Sequence, residues 1–291
     1  MDQFRNIGTE IADIHQLYES DFYRVLDFKC RCRDCGTSSP EYSNTFSISF
    51  VRKGNFLFNV FRHSLDSYTG CVLVTKPGYE RTVTHVHEIP DECTIFDFKN
   101  EFYQEILEKY PSIRFLFDND LHSTLVKINP ETEYLHYRIV STILSKSGPK
   151  LEIDSLVMEL MDTVFSRITD YKPDFEVHDR TKSRHLITIE RAKNYINEHF
   201  HEDISLMEIA SNSFVSPFHF SRLFKTLTSY SPHQFLLNIR LKNAEVLLKN
   251  TSMPVSSIAF ASGFNSIEHF GATFNQKYHQ APSSFRSTVP V

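Results

Sequence analysis

Two clusters in the first third of the chain are of types that bind metals or do redox chemistry. Cys30, Cys32 and Cys35 lie close together, flanked by Lys29, Arg31 and Arg33. Thiolates at this spacing can ligate zinc or another soft metal, with a fourth ligand from Cys71, Cys93, His85 or His87. The basic neighbours also lower thiol pKa, which suits a redox sensor. The plainer expectation is three reduced thiols on a strand end and loop. His85 and His87, two apart on one extended segment, project to the same face and can chelate, with Asp91 and Glu92 following. Glycine patterns for phosphate or dinucleotide binding are missing, and eight Gly in 291 residues leave little material for them.

A second chemistry comes from charge. The net charge of −5 hides a split: residues 180–291 carry 12 Lys and Arg against 7 Asp and Glu, leaving −10 for residues 1–179. Between Glu208 and Glu245 there is no acidic residue. A basic end on an acidic body suggests a polyanion-binding module joined to a part with another task.

Different elements must position these groups. Phe46, Ile48 and Phe50 alternate with serines, Lys53-Gly54-Asn55 supplies a turn, and Phe56, Phe58 and Val60 resume the alternation, which predicts a β-hairpin. Val72 to Thr75, Thr82 to His87 and Cys93 to Phe98 read as further strands, giving a sandwich or small barrel. From about Asn100 the period becomes helical. Ile153, Leu156, Val157, Leu160, Met161, Val164, Phe165 and Ile168 form one apolar stripe. Eight such positions exceed what a small barrel needs covered, so the stripe is expected to join two copies as a homodimer. Residues 170–186 carry no periodicity and read as a linker.

After the linker the pattern is helical and repeats. Leu206-x-x-Ile209-Ala210 returns as Val255-x-x-Ile258-Ala259, and Phe220, Phe224, Pro232 and Phe235 return as Phe270, Phe274, Pro282 and Phe285. Ser205 with Glu208 is a capping box, and Ser216-Pro217 and Ser231-Pro232 pair an N-cap with Pro at the first helical position. Each unit is a short helix, a tight turn and a capped second helix, the layout of a helix-turn-helix.

The stretches "IASNSFVSPFHFSRLFK", "SPHQFLLNIRLKNAEVLLKN" and "PVSSIAFASGFNSIEHFGATFNQKYHQAPSSFR" resemble the arabinose-operon-regulator (AraC/XylS) family of bacterial transcription factors in order and spacing. The resemblance implies two helix-turn-helix units joined by the long helix after Ser231, and an N-terminal cupin-type effector and dimerisation domain. It places Ser216, Phe218, Ser221, Arg222 and Lys225 at the first recognition helix. Arg222 can form two bonds to guanine, while Lys225 and Lys242 are expected on phosphates. In the second unit Gly271 and Ala272 stand where the family often has a polar reader, leaving Asn265, Ser266, Glu268 and His269 as candidates.

The expected protein is α+β with two domains: residues 1–172 a cupin-like β-barrel with dimerisation helices, 173–186 a linker, and 187–288 an all-α double helix-turn-helix. Its partners are promoter DNA, an unidentified small-molecule effector and, for an activator, RNA polymerase. A metallo-cupin enzyme using His85 and His87, with an accessory DNA module, is the rival. No apolar run suits a membrane span and no export signal is visible, so a cytoplasmic, non-enzymatic regulator is expected.

Overall fold

The computed structural model describes residues 12–31, 36–61, 63–86, 90–146, 149–168 and 179–288. Cys32, Cys35, His87 and residues 173–178 of the expected linker lie outside the described residues, as does the Phe218 side chain. The chain divides into two compact units, one of Met1–Ile128 with Arg138–Glu190 and the other of Asn129–Tyr137 with Arg191–Val291.

The first unit holds β1 (Ala12–Glu19), β2 (Tyr23–Cys30), β3 (Glu41–Ser43), β4 (Phe46–Lys53), β5 (Asn55–Val60), β6 (His63–Tyr68), β7 (Cys71–Thr75), β8 (Tyr79–His85) and β9 (Glu92–Phe98). Helices α1 (Asn100–Lys109) and α2 (Arg114–Phe117), strand β10 (Ser123–Lys127), and helices α3 (Pro130–Ser145) and α4 (Lys150–Ile168) follow, with the start of α3 belonging to the second unit. The strands form two open sheets, ordered β1-β2-β9-β4-β7-β10 and β3-β8-β5-β6. Among the described residues no ladder joins the sheets into a closed barrel.

The expected hairpin around Gly54 is not formed. β4 pairs with β7 and β9, while β5 pairs with β6 and β8, so the chain passes at Gly54 from one sheet to the other. The reason is burial on both faces of β4. Phe46 meets Tyr103 of α1 at 5.2 Å and Phe165 of α4 at 5.9 Å between ring centroids. Val51, on the opposite face, joins Phe56, Phe58, Tyr68, Leu73 and Cys93 in the core between the sheets. A strand covered twice needs neighbours from its own sheet on both edges. Gly54 has φ +79°, and a Cβ there would fall 2.4 Å from a carboxylate oxygen of Asp91, so only glycine fits the corner.

The stripe on α4 is not a free face. All eight of its apolar side chains, from Ile153 to Ile168, are buried within the single chain. Tyr23 on β2 donates a hydrogen bond to Asp154 on the same helix at 2.6 Å. The homodimer surface expected there is therefore corrected: the stripe packs inside the first unit. The surplus came from undercounting strands, because β2 and β10 also lie in the sheet that α4 covers.

The second unit is helical: α5 (Asp179–His199), α6 (Leu206–Asn212), α7 (Pro217–Thr228), α8 (Pro232–Asn250), α9 (Val255–Ala261), α10 (Ile267–Tyr278) and α11 (Pro282–Thr288). α5 begins at Asp179, inside the stretch read as linker, and the division between units falls within it, after Glu190. Glu190 stays with the first unit, accepting from the Gly54 N–H at 3.2 Å and the Thr69 hydroxyl at 2.7 Å.

Candidate nucleic-acid interface

Two helix-turn-helix units, α6–α7 and α9–α10, flank the long α8. Local sequence sets their ends. Ser205 accepts from the Glu208 N–H at 3.2 Å while Glu208 accepts from the Ser205 N–H at 2.7 Å, closing the capping box. Ser231 and Gln234 form the same box at the start of α8. Ser266 caps α10 by accepting from the His269 N–H at 3.1 Å. Ser216 occupies the N-cap position of α7, but its side chain makes no capping bond. Phe220, Leu223 and Phe224 in one unit, and Phe270 and Phe274 in the other, are buried and lock each second helix by its inner face.

The outer face of α7 carries the expected readers. Arg222 and Lys225 are exposed, one turn apart, and no carboxylate among the described residues pairs with either. His219, one turn before Arg222, shares that exposed face, and so does Ser216 ahead of the helix. Sequence reasoning missed His219, although its three-residue offset from Arg222 was readable.

Lys242 is corrected. It is only 4% exposed, and its ammonium donates to Glu245 at 2.9 Å, so it is not on the surface where a phosphate contact would be made. Glu245 also accepts from Lys249 at 2.5 Å and from the Tyr278 hydroxyl at 2.9 Å. Burial pushes this carboxyl up, but Lys242 and Lys249 outweigh it and hold Glu245 down to about 2. The acid that ends the acid-free stretch is thus buried and neutralised, and the surface from Ile209 to Ile267 exposes no carboxylate.

On α10, Glu268, His269, Ala272, Asn275 and Gln276 are exposed, and just before it Asn265 is exposed and Ser266 half-buried. Glu268 sits in the first turn, where a carboxylate is favoured by the helix dipole without any ligand. The nine residues Asn129–Tyr137 complete this unit. Tyr134 donates to buried Asn243 at 2.6 Å, and Asn243 donates to Ser262, the C-cap of α9, at 3.0 Å. Glu133 pairs with Lys193 at 2.6 Å, and Glu131 with Lys277 at 2.7 Å.

The first unit's chemistry is less assembled. Cys30 is buried at the end of β2, and Cys71 and Cys93 are buried as well. His85 bonds to Asp91 through Nδ1 at 2.7 Å, in a pair with little exposure. Among the described residues no group of three His, Cys, Asp or Glu side chains is placed to hold a metal ion. No described helix is long and apolar enough to cross a membrane.

Residues 209–288 match the family described as Helix-turn-helix domain. Over 187 residues the chain is 27% identical to an uncharacterized HTH-type transcriptional regulator of Staphylococcus aureus strain COL, covering 64% of this chain and 24% of that one. Over 160 residues it is 25% identical to the regulatory protein PocR of Salmonella typhimurium, covering 55% of this chain and 51% of PocR. The chain therefore spans about a quarter to a half of the curated relatives it matches. Among solved structures, ToxT from Vibrio cholerae is similar at 15% identity and a TM-score of 0.41, over 94% of this chain and 97% of that one. Residues 209–288, with two capped units around one long helix, therefore form a helix-turn-helix domain of the AraC type.

Proposed function

We propose that this chain is a transcription regulator that binds promoter DNA through α7 and α10. The observation that carries the reading is the outer face of α7, where Arg222 and Lys225 project without a carboxylate partner in a stretch, Ile209 to Ile267, whose one acid, Glu245, is buried among ammonium groups. An exposed guanidinium on a second helix-turn-helix element suits guanine N7 and O6, and a neighbouring ammonium suits a phosphate. Ser216, with a hydroxyl not used in capping, and Ser221 are further contacts on this side; Asn265, Ser266, Glu268 and His269 are those of α10.

In this reading residues 1–172 form a cupin-like domain that senses a small molecule and pairs two copies, 173–186 connect it, and 187–288 bind DNA in the cytoplasm. Effector binding shifts the population of DNA-competent chains, and an activating form contacts RNA polymerase. No reaction is part of the mechanism. Binding of the full chain to promoter fragments at increasing salt tests it. Affinity should fall steeply and linearly on a log–log plot, as displaced counterions require. Salt-insensitive binding, or none to any fragment, rejects the reading.

A further inference from the structure

The two recognition helices are matched residue for residue, yet differ in reach. At an offset of 50, Arg222 corresponds to Ala272 and Ser221 to Gly271. A Cβ on Gly271 would meet no atom within 4 Å, so packing inside the chain does not call for glycine there. Glycine in a helix interior is nevertheless destabilising relative to alanine. At Gly271 and Ala272 the helix touches base edges only if its backbone there lies deep in the groove. For α10, placement decides what is read.

That placement is fixed at its C-terminal end. The Tyr278 hydroxyl donates to Glu245 on α8 at 2.9 Å, and Glu245 is only 7% exposed. The carboxylate is held in turn by Lys242 and Lys249. The Tyr278 ring packs on Phe274 at 4.4 Å and Phe285 at 5.5 Å between centroids. Adjacent Lys277 donates to Asn238 of α8 at 3.0 Å. In α7 the residue matching Tyr278 is Thr228, whose hydroxyl bonds back to Phe224 of its own helix at 2.7 Å. The tether belongs to the helix that has Gly271 and Ala272 where α7 has Ser221 and Arg222.

We infer that Tyr278 and Glu245 are positioning residues for base reading by α10, an inference that rests on the DNA-binding reading above. The hydroxyl-to-carboxylate bond ties the recognition helix to a carboxylate fixed from two other directions. Gly271 and Ala272 then meet the groove at one depth.

The test uses the full chain and a random-sequence duplex library selected on the wild type. Affinity for each base at each position is compared for the wild type, Tyr278→Phe, Glu245→Gln, Arg222→Ala and Ala272→Arg. The last two mark the halves of the site facing α7 and α10. Tyr278→Phe keeps the ring contacts and removes one bond, and should bind the selected site about three- to tenfold more weakly. Its base preference should flatten only in the half marked by Ala272→Arg. Glu245→Gln alters the same link from its other end and should act on the same half. Preference kept in both halves, or lost equally in both, overturns the inference. A wild-type chain that enriches no sequence overturns the DNA-binding reading beneath it.

Discussion

Phe214 and Gly263 occupy the same position in the turns of the two helix-turn-helix units, and both hold a positive φ, +57° and +84°. Their surroundings differ. A Cβ on Gly263 would lie 2.5 Å from the Phe200 carbonyl oxygen and 2.8 Å from Nε of Arg240, which itself bonds that carbonyl at 2.7 Å. Phe214 is 78% exposed, with the Arg191 guanidinium 4.8 Å above its ring. Gly263→Ala should therefore cost about 2–4 kcal/mol in urea unfolding, from left-handed strain plus a backbone clash. Phe214→Gly should stay within about 1 kcal/mol of wild type, since relieved strain offsets the looser unfolded chain.

Arg222→Ala should weaken binding to the preferred DNA site by about 1–3 kcal/mol and relax one base position. Lys225→Ala should weaken all sequences alike and reduce the salt slope by about 1. Titrations at several salt concentrations separate these outcomes, and a uniform loss from Arg222→Ala would make it a phosphate contact.

Glu245 gives the second unit an acid-labile element. Its folded-state pKa of about 2 lies below the ordinary 4.5, so its contribution is fully present above that ordinary value. It is lost as pH falls from about 5 towards 2, and is on the order of 3 kcal/mol in full. The stability difference between wild type and Glu245→Gln, followed by denaturant unfolding, should shrink across that window. A difference constant from about pH 6 to about pH 2, which spans that window, would contradict the paired carboxylate.

Leu160 on α4 is 1% exposed. Leu160→Ala should cost about 2–5 kcal/mol as a buried cavity, and Leu160→Glu should unfold the first unit rather than release a folded monomer. Near-ultraviolet circular dichroism with sedimentation distinguishes the two results. A well-folded Leu160→Glu chain of reduced mass would restore the stripe as a subunit interface.

Burial pushes the Cys93 thiol up, and nearby Asp91 pushes it further, so thiolate is scarce at neutral pH. Iodoacetamide should leave Cys93 unmodified in the folded chain and label it in urea, as mass spectrometry of peptides would record. Rapid native labelling of Cys93 would mean that the β9 region opens readily.

The duplicated helical units were legible because their signals are short-range. Ser205 with Glu208, Ser216-Pro217 and the paired Phe220/Phe270 anchors each act within a few residues. Gly54 was legible as a turn but not as a corner between sheets, since partner choice depends on β7, β8 and β9, distant in sequence. Lys242 misled because an isolated lysine is usually solvated. Glu245 and Lys249, at helical spacing from it and from each other, were the sign of an internal cluster. Residues Asn129–Tyr137 gave no signal at all, because nothing in a helix start names a partner a hundred residues away.

That short segment has a consequence for the order in which the molecule is made. Tyr134 and its acceptor Asn243 are 109 residues apart, so at about 5–20 residues per second the tyrosine emerges roughly 5–20 seconds before its partner. For about the first half of that interval, while Arg138–Glu190 emerge, the ribosome has delivered one piece of the C-terminal unit and none of the rest. Glu133 likewise waits for Lys193. The nascent chain must hold the start of α3 in reserve while its neighbours on either side settle into the first unit. Translation pauses placed between these codons, or chaperones that cover Tyr134 and its neighbours, would then govern how much of the newly made protein reaches its finished form.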